Sequence, residues 1–72
     1  MTNTSLLEQR IQQSGLKKSY IAKVLGISGK TLKNKLNGST QFKESEMNTM
    51  WKLLGITDPA EKIAIFFAEE VA

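Results

Sequence analysis

Apolar residues recur along the chain in short runs at helical spacing, most of them closed by a glycine or an Asn-Gly pair, a pattern that predicts five helices and no strand. Ser5-Leu6-Leu7-Glu8 has the hydroxyl-to-carboxylate spacing of a capping box, Leu7 and Ile11 fall one turn apart, and Ser14-Gly15 ends the first segment. A second helix is expected from about Lys17 to Leu25, with Tyr20, Ile21, Val24 and Leu25 as its apolar stripe and Gly26 as its stop. Ser28 is the natural N-cap of a third, from about Gly29 to Leu36, which buries Leu32 and Leu36 and exits through Asn37-Gly38. A polar loop from Ser39 to Lys43 follows, in which Phe42 is placed to pack inward. The fourth helix covers about Glu44 to Leu54, with Met47, Met50, Trp51 and Leu54 on one face and Glu44 and Glu46 at the positive end of the helix dipole. Gly55 closes it, and Asp58-Pro59-Ala60-Glu61 opens helix five with Asp at the N-cap, Pro at N1 and Glu at N3. The expected architecture is all-α, one domain over residues 1–72, with the last helix at about 58–70.

Composition narrows the chemistry. A chain of 72 residues hides only about 60% of its unfolded surface, enough for one small core and not for a deep substrate cavity. With no Cys and no His, the usual zinc ligands, a thiolate nucleophile and an imidazole base are all missing. No disulfide framework is possible, no apolar run approaches the ~20 residues of a membrane span, and the start of the chain does not look like a signal peptide. These counts favour a binding module over an enzyme, with no cofactor, no metal and no membrane partner; the missing cysteines do not by themselves prove a cytosolic home.

The net charge of +3 is unevenly spread. Residues 1–43 hold eight basic residues against Glu8 alone, a balance of +7, while residues 44–72 hold two against six, a balance of −4. A basic front half suits a polyanion, and an acidic rear half is repelled by one. A lysine-rich solvated face is the plainer alternative.

Two adjacent short helices joined through Gly26-Ile27-Ser28 give the front half a shape. Gly26 can take the left-handed conformation that a tight turn needs. Ile27 then plugs the junction, Ala22 is a small contact at the crossing, and Leu25 and Leu32 pack across the angle. This is a helix-turn-helix layout over about 18–37, which holds its second helix proud of the surface. Helix–glycine–helix corners also occur in ordinary bundles, but here the outward positions are basic or amide-bearing.

The stretch Gly15–Gly38 resembles the helix-turn-helix core of the Cro/C1-type (XRE-like) phage repressors, through Ile21-Ala22, Leu25-Gly26-Ile27-Ser28, Thr31-Leu32 and Asn37-Gly38. The likeness is close over 24 residues, from 15 to 38. The short length and five-helix layout extend it loosely to the rest, toward small lytic-side regulators of temperate phages of Gram-positive hosts. It implies a lambda-repressor-like domain whose third helix enters the major groove of operator DNA. It also implies a second possibility, an antirepressor similar to the modulator-of-repression proteins, which act by binding the partner C1-type repressor.

Carried over by position, the resemblance makes Lys30, Lys33 and Asn34 the base-contacting residues, the lysines toward guanine and the asparagine toward adenine. Backbone contacts fall to Lys18, Ser28, Asn37, Ser39, Thr40 and Lys43. Three positions depart from the pattern. Gly29 brings no side chain where the family often reads a base, Lys35 stands at a usually apolar site, and Lys17 replaces a hydroxyl cap. Six or so lysines near phosphates would give a salt slope of about −5, and such contacts alone reach only about 10⁻⁴ to 10⁻⁶ M. Tight operator binding therefore calls for a homodimer, expected through the C-terminal half.

Helix five carries surplus apolar surface. Ala60, Ile63, Ala64, Phe67 and Val71 form the stripe expected to face the core. Ile65 and Phe66 point elsewhere and, flanked by Glu69 and Glu70, are the expected protein-partner surface, unless the helix is buried on more than one side. Trp51, Met47 and Met50 read as core, and the Glu pairs as dipole-matching or solvated charges rather than catalytic carboxylates.

Overall fold

The computed structural model describes residues 2–67, and over them the chain is all-α: α1 (Thr4–Ser14), α2 (Lys18–Leu25), α3 (Gly29–Leu36), α4 (Glu44–Leu54) and α5 (Pro59–Phe66), with no strand among the described residues. The boundaries follow from local chemistry. Ser28 accepts from the Thr31 amide at 3.1 Å to start α3, and Asp58 accepts from the Ala60 amide at 2.9 Å beside Pro59 at the start of α5. Gly26 takes φ 73° after α2, and there the Ile27 amide donates to the Ala22 carbonyl at 3.0 Å, a Schellman closure that turns the chain sharply. Gly55 ends α4 the same way, with the Ile56 amide reaching the Trp51 carbonyl at 2.9 Å.

One expected start is corrected. The N-cap of α1 is Asn3, whose Oδ1 accepts from the Leu6 amide at 3.2 Å, so Ser5 lies within the first turn and no Ser5–Glu8 capping box forms. Asparagine caps as well as serine, and the Asn3 amide is also tied to the Ile65 carbonyl, which anchors the helix start two residues earlier.

The core is built from Leu7 and Ile11 of α1, Ile21 and Ala22 of α2, Leu32 and Leu36 of α3, Phe42, Met50 and Leu54, Ile56, and Ile65 and Phe66 of α5. Leu25, Ile27, Met47 and Trp51 pack against it half-buried. The α2 stripe is narrower than its periodicity suggested. Ile21, Ala22 and Leu25 face inward, while Tyr20 and Val24 are exposed.

The face of α5 is the reverse of the expected one. Ile65 and Phe66 are 1% and 2% exposed, whereas Ile63 and Phe67 are 59% and 48% exposed and Ala60 and Ala64 are open. Phe66 decides the matter: its ring meets Phe42 and Trp51 edge-on, at 5.7 and 6.0 Å between centroids. The flanks hold the same rotation. Glu61 pairs with Arg10 at 2.9 Å, and the Lys62 ammonium lies 4.6 Å from the Trp51 ring centre. Ile65 and Phe66 are therefore core, not a partner surface. Val71, Glu69 and Glu70, with the helix end expected near 70, lie outside the described residues. No helix of the described residues is long and apolar enough to cross a membrane.

Candidate nucleic-acid interface

The α2–α3 corner holds α3 with its apolar side, Leu32 and Leu36, in the core and Gly29, Lys30 and Lys33 exposed. Among the described residues neither Lys30 nor Lys33 has an ion-pair partner. Asn34 is half-buried; its carbonyl accepts from the Ser39 and Thr40 amides at 2.9 and 3.3 Å, and its side-chain amide makes no hydrogen bond among the described residues. A Cβ placed on Gly29 would have nothing within 4 Å, so the first turn of α3 is open backbone that a ligand can approach closely.

The residues expected to meet phosphates are not all equally available. Ser39, Thr40 and Lys43 are exposed on the loop that leaves α3. Asn37 is exposed, and its Oδ1 accepts from the Ser39 amide at 2.9 Å, an Asx turn that leaves its NH2 group as a donor. The Ser28 hydroxyl is engaged twice within the protein, accepting from the Thr31 amide and donating to the Thr31 hydroxyl at 2.8 Å. Lys18 is exposed, but its ammonium sits 3.0 Å from the Glu8 carboxylate, which shares its charge.

Lys35 behaves differently from every other lysine of the front half. It is 6% exposed, and its ammonium donates to Glu46 at 2.9 Å and to the Gln41 carbonyl at 3.0 Å, with the Phe42 ring centre 5.8 Å away. Glu46, 8% exposed, also accepts from the Lys43 amide at 2.7 Å. Burial alone would raise the Glu46 carboxyl. The hydrogen bond from the Lys43 backbone, and the hydrogen bond and charge of Lys35, outweigh it and hold the group below its ordinary 4.5. Glu46 is thus neither a solvated charge nor only a partner of the helix dipole. The sequence held only its halves, a glutamate at N3 of α4 and a lysine about 60° from Leu32 on the wheel of α3, and nothing local that joins them.

A groove of about 510 Å³ runs beside α3, floored by Leu32 and Leu36 and edged by Glu8, Lys18, Lys33 and Asn37. The missing side chain at Gly29 leaves one end open. No group of three His, Cys, Asp or Glu residues placed to hold a metal ion occurs among the described residues. Comparison with protein-family models, with curated proteins and with solved structures gives no match.

Proposed function

We propose that this chain is a sequence-specific double-stranded DNA-binding transcriptional regulator of a phage lysis–lysogeny switch, acting as a homodimer in the cytoplasm of a bacterial host. The observation that carries this reading is the outward face of α3, where Lys30 and Lys33 stand exposed, and unpaired among the described residues, beside a bare Gly29. A recognition helix needs donors aimed at base edges and backbone able to come close to the groove. Lys30 and Lys33 donate to guanine, Asn34 pairs with adenine, and Asn37, Ser39, Thr40 and Lys43 hold phosphates. Of the lysines assigned to DNA, Lys18 is shared with Glu8, which leaves Lys30, Lys33 and Lys43. A lysine in the groove displaces counterions from the flanking phosphates as one on the backbone does, so the three give a slope of about −3 per protomer in log affinity against log salt. The second copy docks on the apolar face that α5 leaves open, Ile63 and Phe67.

One observation favours a second reading. The apolar-floored groove along α3 is a surface that meets protein more readily than phosphate, as an antirepressor gripping the partner C1-type repressor would require. One titration separates the two readings. The purified chain is mixed with duplex from the intergenic region beside its own gene, and separately with the neighbouring repressor, each at two salt concentrations. A specific duplex complex that weakens steeply with salt supports the regulator. A salt-tolerant complex with the repressor and no duplex shift replaces it with the antirepressor.

A further inference from the structure

A buried ion pair contributes less than its geometry suggests, since apolar residues of similar volume often serve stability as well or better. Lys35 and Glu46 occupy such a place, with Leu36 and Phe42 buried alongside. What two apolar side chains could not supply is their set of directed bonds. The Lys35 ammonium donates to the carbonyl of Gln41 at 3.0 Å, and Glu46 accepts from the amide of Lys43 at 2.7 Å. The two groups meet at 2.9 Å. The pair thus grips the backbone on both sides of Phe42, whose ring is buried between the two grips. The first half of the same loop is fixed from α3, through the Asn34 carbonyl and the Asn37 side chain, which hold the amides of Ser39 and Thr40.

We infer that Lys35 and Glu46 are positioning residues for the α3–α4 loop, a two-sided clamp that sets where Ser39, Thr40 and Lys43 stand relative to α3. The lysine that looks like a lost DNA contact therefore acts on DNA through the loop. This consequence rests on the DNA-binding reading, whereas the clamp itself does not.

The test replaces the pair with apolar residues, Lys35→Met with Glu46→Leu, so that no lone charge is left inside. Thermal unfolding followed by circular dichroism checks that the helices are retained. Backbone order parameters of residues 39–43 are expected to fall from about 0.85 toward 0.6, with those of α3 and α4 unchanged. Duplex affinity then falls about tenfold and the salt slope becomes shallower by about one, although no exposed lysine has been removed. Glu46→Gln, which keeps both acceptor bonds, should leave the loop ordered; it also serves as the test if the double variant does not fold. An ordered loop in the double variant, or a loop freed equally by Glu46→Gln, overturns the clamp. A freed loop with unchanged affinity and slope overturns its role in binding. If the unmodified chain binds no duplex, the DNA reading fails by itself and the order parameters still decide the clamp.

Discussion

Helices α3 and α5 are each eight residues long, yet they present themselves to the rest of the molecule in opposite ways. In α3 the two leucines share one side, so one rotation buries Leu32 and Leu36 and takes inward only Lys35, which Glu46 neutralises, whereas any other would bury a row of lysines and amides without partners. In α5 the residues Ile63, Ala64, Ile65, Phe66 and Phe67 follow one another without a break, and apolar mass faces both ways. Its rotation is set from outside, by the pocket between Phe42 and Trp51 that takes Phe66 and by Arg10 reaching Glu61. Contrast along a helix decides its inner face; where contrast is missing, the neighbours decide. The consequence for function is direct. The surface of α3 is charged because its core face is fixed, and the surface of α5 is apolar because its core face was chosen among near equals.

The comparison can be broken hardest at α5. Phe66→Ala should cost about 3–5 kcal/mol of unfolding free energy, as a large buried aromatic does, while Phe67→Ser one residue on, at a protein concentration low enough for the chain to be monomeric, should stay within about 0.5 kcal/mol. Urea titration of both variants checks this, and a larger loss at Phe67 would invert the assignment of faces.

The next effect is at the buried pair. Lys35→Met alone leaves the Glu46 carboxylate inside without its cation and should cost about 3 kcal/mol near neutral pH. Because the folded chain holds the Glu46 carboxyl below its ordinary 4.5, the unfolded chain binds the proton first as pH falls. The stability from this group is therefore complete above that ordinary value and is lost as pH drops through the lower, folded one. Stability curves from pH 7 to pH 2 should show the gap between Lys35→Met and the unmodified chain closing in acid. A gap independent of pH would contradict the pairing.

Smaller losses belong to the corner. Gly26→Ala places a side chain at φ 73° and should cost about 1–2 kcal/mol, and Ser28→Ala should cost about 1 kcal/mol through the lost cap of α3. Thermal melts of the two variants rank them. At the bottom of the scale, Lys30→Ala with Lys33→Ala should leave stability within about 0.5 kcal/mol, since both side chains are exposed and unpaired among the described residues.

Most of the architecture was legible from the sequence because its punctuation is local. Gly26 and Gly55, Ser28, and Asp58-Pro59 act within a turn of where they stand, and α3 runs over Gly29–Leu36 as its pattern predicts. The start of α1 was missed because Asn3 and Ser5 are both good caps and only the contact with Ile65 separates them. The exposed lysines of α3 followed from amphipathicity. The Lys35–Glu46 clamp did not, since it joins residues 11 apart across a loop whose path is fixed by the burial of Phe42. The Lys18–Glu8 pair escaped for the same reason, as it spans two helices.

The proposed function requires that the charged face of α3 meet a polyanion, and salt dependence of duplex binding tests that most directly. Affinity for the intergenic duplex, measured from 50 to 300 mM salt for the unmodified chain and for Lys30→Ala with Lys33→Ala, should give slopes of about −3 and about −1 per protomer. Equal slopes and equal affinities in the two proteins would contradict it.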